Sequence, residues 1–183
     1  MLIEAPDLVL DDELRVLALQ GDWGARYELG PEGGRFVVDN PSRAHHVCMD
    51  FLARASASAV HMALVPELAI PRETVRHIMT TVRDLSGSLV FLGGVEGLTR
   101  QEYASLLNGV GESQPLVDAS TGGYVNSLLT IVKTPTSFVV RLRAKRVASR
   151  IENQKGPPIA LGEGPFAILK PLCQRVLPEW CRS

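Results

Sequence analysis

The sequence has no large excess of positive or negative charge and no long apolar run. Its 183 residues include 19 Lys and Arg against 20 Asp and Glu, so the net charge is −1. A nucleic-acid surface needs a basic excess, and the composition argues against that class of partner. No apolar run approaches the roughly 18 residues that a membrane-spanning helix needs. We therefore expect neither a nucleic-acid nor a membrane partner, and the first residues show no signal-peptide pattern.

Cysteine is also scarce, and the missing patterns exclude several classes of site. Cys48, Cys173 and Cys181 are odd in number and scattered along the chain, which is not a disulfide framework and favours a reducing, cytoplasmic compartment. The four histidines show no metal-ligand spacing with an acidic partner, so we expect no metal site. Neither a nucleophile-elbow motif nor a phosphate-binding loop motif occurs.

The apolar segments that are present predict an α/β fold. Hydrophobic residues make up 45% of the chain, and without a convincing linker residues 1–183 form one domain. Strand-like and helix-like patterns alternate, which is typical of α/β proteins. The predicted strands are 14–19, 60–65, 88–92, 124–132, 137–142 and 166–169; helices are predicted to begin at Pro41 and Pro71; loops are expected over 21–34 and 99–122.

Three chemically useful side chains follow predicted strands. Glu67 comes directly after the apolar run 60–65 and Pro66, at the strand end where open α/β sheets place their chemistry. Lys145 and Cys173 follow two later strands. A thiolate can attack a carbonyl or nitrile carbon, and a carboxylate can take the thiol proton and return it to the leaving amine. An ammonium group favours the thiolate and stabilises the oxyanion.

Several short segments follow one another in a characteristic order. They are 14–20, the helix after Asn40, 64–68, 89–94, 124–127, and 143–145 followed by Glu152. In this order the chain resembles the nitrilase, or carbon–nitrogen hydrolase, superfamily over about residues 14–169. The resemblance implies an α-β-β-α sandwich that hydrolyses non-peptide carbon–nitrogen bonds. It implies a small-molecule amide or nitrile substrate, with amides favoured, no cofactor, and a homo-oligomer.

Residue roles follow from the same resemblance. Glu67 matches the family's general base, and Lys145 matches its oxyanion-stabilising cation. Glu152, seven residues further on, matches the second carboxylate, which would hold Lys145 or the substrate. Lys133 is the alternative lysine, but it precedes a turn and lacks a matching Glu.

The resemblance weakens at the nucleophile. The family places Cys-x-Asp almost directly after a strand, whereas here Cys173 comes late, Pro171 intervenes and no Asp follows. Residues 170–183 are therefore divergent, and the sandwich is expected to be incomplete, through a frameshift, a gene-end error or a natural truncation. An uncovered sheet would favour poor solubility or self-association. Cys173 is then either a displaced nucleophile or a bystander, and Cys181 is a weaker candidate.

Three functional hypotheses stay open on the sequence alone. The first is a thiol amidohydrolase that uses Glu67, Lys145 and Cys173. The second is a catalytically inactive nitrilase-like module with an interaction or regulatory role. The third is a generic α/β domain in which these residues are incidental. A base should be buried beside Lys145, whereas a bystander should point to solvent.

Overall fold

The protein is a mixed α/β structure. The computed structural model describes residues 2–5, 13–21, 24–30, 33–110, 123–145 and 168–171. Its elements, in chain order, are β1 (Leu2–Ala5), β2 (Val16–Ala18), β3 (Ala25–Gly30), β4 (Gly33–Val38), α1 (Pro41–Ala57), β5 (Met62–Ile70), α2 (Thr74–Asp84), β6 (Leu89–Thr99), α3 (Arg100–Val110), β7 (Tyr124–Lys133), β8 (Phe138–Ala144) and β9 (Ile168–Pro171).

A five-stranded sheet organises these elements. Its strand order is β2-β5-β6-β7-β8. The first three of these strands run parallel, and the two pairs that include β7 are antiparallel. Two further two-stranded sheets exist: β1 pairs with β9 in parallel, and β3 pairs with β4 in a hairpin. The coarse α/β prediction is confirmed. None of the helices among the described residues combines the length and apolar character needed to cross a membrane.

Two helices build the core on one face of the sheet. The Asn40 side chain accepts a hydrogen bond from the Arg43 N–H at 3.0 Å, and Pro41 occupies the first turn, so α1 begins where the sequence predicted. α1 and α2 pack against each other and against β5 and β7, respectively. The side chains buried in this core include Phe51, Leu52, Ile78 and Leu129 from these elements.

The loop expected over residues 21–34 is wrong, because the segment forms most of the β3–β4 hairpin. Tyr27 and Phe36 are cross-strand partners whose ring centroids lie 5.3 Å apart. Gly34 leaves room for this ring: a Cβ there would lie 1.7 Å from the Tyr27 hydroxyl oxygen. Gly34 thus lies within a strand and lets a neighbouring side chain approach the backbone closely. A sequence pattern does not distinguish such a glycine from one in a loop.

The loop predicted over residues 99–122 is wrong as far as residue 110, and residues 111–122 lie outside the described part of the chain. β6 continues through Gly93 and Gly94 to Thr99, and α3 follows at once. The Glu102 side chain accepts the Thr99 N–H at 2.8 Å, while the Glu102 N–H donates to the Thr99 hydroxyl oxygen at 3.1 Å. This reciprocal pair is a capping box, and the Thr-x-x-Glu spacing was the signal that could have predicted the helix.

The last strand also differs from the prediction. β9 runs Ile168–Pro171, and Pro171 pairs with Ala5 instead of interrupting the strand. A proline is tolerated there because a two-stranded sheet consists of edge strands, where one side of each strand donates no ladder hydrogen bond.

Candidate active site

A large bulge in β5 presents Glu67. β5 pairs regularly with β6 up to Val65↔Gly93, and pairing resumes at Ile70↔Val95. An advance of five residues along β5 therefore corresponds to an advance of only two along β6. The strand was expected to end at Pro66-Glu67, but instead it bulges there and continues. Leu68 adopts a left-handed φ of 60° inside the bulge, a conformation uncommon for a residue with a Cβ. Such bulges re-aim side chains, and here the re-aimed carboxylate is that of Glu67.

Lys145 meets Glu67 across the sheet. The Lys145 Nζ donates to the Glu67 Oε1 at 2.5 Å, although the residues lie 78 positions apart in sequence. The Lys145 backbone N–H also donates to the Asn126 carbonyl at 2.7 Å, which extends the β7–β8 pairing by one residue past the end of β8. The carboxylate and the cation that the sequence singled out therefore share one place in the fold.

The pair is more open to solvent than the sequence analysis expected for a general base. The Glu67 side chain is 59% exposed, and that of Lys145 is 24% exposed. Exposed ion pairs contribute little to stability, about 0–1 kcal/mol. The contact therefore describes where the two side chains lie and adds little to stability. By the criterion set out above, the exposure of Glu67 favours a bystander, whereas its contact with Lys145 favours a base.

Tyr103 supports Lys145 from α3, and sequence analysis missed it. Its buried hydroxyl donates to the Leu142 carbonyl and accepts the Ala144 N–H, each at 3.1 Å. These two backbone groups lie on the outer edge of β8, directly before Lys145. Since α3 was expected to be a loop, nothing in the pattern predicted that a tyrosine would hold this strand end.

The remaining predicted site residues divide into two groups. Cys173, Glu152 and Cys181 lie outside the described residues. Lys133 is described, and its Nζ donates to the Thr134 carbonyl at 3.0 Å. Through β7 it pairs with Leu89 at the start of β6, far along the strand from the bulge beside Gly94. The structure therefore brings Lys145, and not the alternative lysine, to Glu67.

The histidines form no metal-ligand cluster with other residues that the structure describes. His61 is buried, and its Nδ1 accepts the Arg15 backbone N–H at 3.0 Å, as expected for a core histidine with a hydrogen-bond partner. Across the part of the chain that the structure describes, no group of three or more His, Cys, Asp or Glu side chains could hold a metal ion.

Cys48 is expected to be chemically inert in the folded protein. It lies in the α1 core, where burial raises the pKa of its thiol to about 11. Because the thiolate is the reactive form, iodoacetamide should label native Cys48 slowly at neutral pH and faster as the pH rises towards 11. Mass spectrometry of labelled protein measures this rate, and the denatured chain is the control. Equal rates in the native and denatured protein would contradict the prediction.

Comparison with known proteins adds no family assignment. The chain matches no model of a known protein family and no curated protein. The nitrilase resemblance thus stays a prediction from the sequence, and the function is inferred from the geometry around Glu67 and Lys145.

Proposed function

We propose that the protein is a hydrolase of non-peptide carbon–nitrogen bonds that acts on small amides or nitriles through Glu67, Lys145 and Cys173. The observation that carries the proposal is the 2.5 Å contact between the Glu67 Oε1 and the Lys145 Nζ. These residues were singled out as base and cation from sequence, and they are 78 positions apart. We further propose that the five-stranded sheet is one half of a nitrilase-like α-β-β-α sandwich.

The proposed reaction proceeds through a thioester. The Glu67 carboxylate takes the proton from the Cys173 thiol, and the thiolate sulfur attacks the amide carbon. The C=O bond electrons move to oxygen, and the Lys145 ammonium stabilises that oxyanion. As the tetrahedral intermediate collapses, the carbon–nitrogen bond breaks, and protonated Glu67 gives its proton to the leaving amine. Water then cleaves the thioester, with Glu67 accepting its proton, and regenerates the thiol.

The geometry of the pair supports this division of labour. The Lys145 ammonium that contacts the carboxylate can also turn a hydrogen bond towards a developing oxyanion. Of the two environments distinguished above, the 59% exposed Glu67 side chain has the one expected of a bystander. The proposal therefore rests on the ion pair with Lys145 and not on burial of the carboxylate. Under this proposal Glu152 assists Lys145 or the substrate, no cofactor takes part, and the protein works in the cytoplasm.

A second candidate function is a catalytically inactive interaction module. Val16 and Leu128 are 44% and 45% exposed, although both lie on strands of the sheet. Strand alternation and register place them on the face opposite the buried Ala63 and Leu129. The same register places Val90 on this face, where it is buried, so the exposed apolar surface is limited to positions such as Val16 and Leu128. Exposed apolar side chains on a sheet favour contact with a partner or with another copy of the chain, which also fits the proposed homo-oligomer.

An ammonia-release assay over a panel of small aliphatic and aromatic amides and nitriles tests the hydrolase. We expect release from at least one amide, and Glu67→Gln should reduce it by about 10²–10⁴-fold, as loss of a general acid–base does. Glu73→Gln is the matched control, because that side chain is 60% exposed, against 59% for Glu67, and also forms an ion pair.

The outcomes separate the two candidate functions. Activity that depends on Glu67 but not on Glu73 supports the hydrolase. Absence of ammonia release across the panel, or equal activity in the two variants, would contradict it and leave the interaction module as the better account.

A further inference from the structure

A second glutamate, Glu96, lies buried close to the bulge. It is 7% exposed and is the one buried acidic side chain in the described part of the chain. One carboxylate oxygen accepts the Val38 N–H at 3.0 Å, and the other accepts the Arg72 N–H at 2.8 Å. A buried carboxylate is costly unless it is hydrogen-bonded, and these two bonds to backbone donors satisfy that need.

The contacts of Glu96 join three segments at the exit of the bulge. Val38 ends β4, Arg72 lies between β5 and α2, and Glu96 itself sits in a smaller bulge of β6, where pairing with β7 shifts between Val95 and Leu98. Next to it, a Cβ on Gly97 would lie 2.9 Å from the Phe36 carbonyl oxygen, so β6 and β4 are in close backbone contact.

β6 therefore holds the β5 bulge at both ends. At the entrance, Gly94 lies against the backbone of Pro66, Glu67 and Leu68. At the exit, Val95 pairs with Ile70. Two residues beyond Ile70, the Glu96 carboxylate fixes the Arg72 N–H. The exposed Glu67 side chain depends on this backbone for its place, since solvent surrounds most of it.

We propose that Glu96 is a positioning residue that holds the β5 bulge in the conformation in which Glu67 reaches Lys145. The inference rests on the proposed function, because it assigns Glu96 a role in assembling that site. Glutamine is nearly the same size but has a single side-chain acceptor, and its amide N–H₂ would face a backbone N–H. Glu96→Gln therefore breaks one of the two contacts while keeping the volume.

A zero-length carbodiimide cross-link measures directly whether the Glu67 carboxyl and the Lys145 amine are in contact. The reagent activates the Glu67 carboxyl as an O-acylisourea, the Lys145 amine attacks that carbonyl carbon, and an isopeptide bond forms as the urea leaves. Mass spectrometry of digested protein quantifies the linked peptides. We expect Glu96→Gln to lower the yield about tenfold or more, since a misplacement near 1 Å can cost two orders of magnitude in such a reaction.

Ile78→Val controls for a general loss of stability. Ile78 is fully buried in α2, so this variant weakens the core without touching the bulge. Its cross-link yield should equal that of the wild type. A yield that falls equally in Ile78→Val and Glu96→Gln would show that Glu96 acts through overall stability, and would overturn the proposal.

A second pair of variants tests the same contact from its other side. Arg72→Pro removes the backbone N–H that Glu96 binds, whereas Arg72→Ala removes the side chain and keeps that N–H. A cross-link lost in Arg72→Pro and retained in Arg72→Ala is the expected result. Equal cross-link yields in Arg72→Pro and Arg72→Ala, together with a wild-type yield in Glu96→Gln, would overturn the role of Glu96 and leave the proposed function standing. A missing cross-link in the wild-type protein would instead overturn the proposed function.

Discussion

Gly94→Ala is expected to lower the free energy of unfolding by about 3 kcal/mol, the upper end of the usual range for overpacking. A Cβ at this position would lie 2.4 Å from the Glu67 Cα, 2.8 Å from the Leu68 nitrogen and 2.9 Å from the Pro66 oxygen. These are backbone atoms of the bulge, and they cannot rotate away as a side chain could. The bulge must therefore shift, and the Glu67–Lys145 cross-link should be lost together with the stability.

Gly87→Ala provides the matched control for this variant. Gly87 lies shortly before β6, and a Cβ there meets no atom within 4 Å. Its free energy of unfolding should stay within about 0.5 kcal/mol of the wild type. Urea unfolding followed by circular dichroism measures both variants. Equal stability of Gly94→Ala and Gly87→Ala would show that β6 does not support the bulge as closely as the structure indicates.

Lys145→Met is expected to reduce hydrolysis of the best amide substrate by about 10²–10³-fold, the usual cost of removing an oxyanion-stabilising donor. Methionine keeps an unbranched side chain of similar length but removes the charge beside the Glu67 carboxylate. Stability should change little, because the ion pair that is lost is partly exposed. Steady-state rates of ammonia release, with the melting temperature as the folding check, give this result.

Lys133→Met distinguishes a specific role from a general effect of charge. Lys133 ends β7 at the opposite end of the strand and donates to the Thr134 carbonyl. Its variant should keep wild-type activity. Similar losses in Lys133→Met and Lys145→Met would contradict the assignment of the cation, as would full activity in Lys145→Met.

The strands that carry Glu67 and Lys145 were predictable because each has a strong local pattern. The apolar run before Glu67 and the apolar run before Lys145 each indicate a buried strand, and strands of one sheet bring distant residues together. The turn between β7 and β8 was equally predictable from the sequence. Thr134 and Ser137 close it with a backbone hydrogen bond of 2.8 Å around Pro135-Thr136.

The supporting residues could not be predicted because their signals are tertiary. Gly94 reads as a strand terminator, yet its role is a close approach to another backbone. Tyr103 sits on a helix that the weak pattern of residues 99–122 concealed. Glu96 follows two glycines and a valine in an apolar strand, where only the fold reveals the Val38 and Arg72 N–H groups that satisfy it.

The most direct test of the proposed site is the rate at which iodoacetamide alkylates each cysteine at about pH 6.5, where only an activated thiol reacts quickly. The account predicts fast labelling of Cys173, slow labelling of the buried Cys48, and a changed Cys173 rate in both Lys145→Met and Glu67→Gln. Uniformly slow labelling that neither substitution alters would contradict it, because the Glu67–Lys145 pair would then activate no nucleophile.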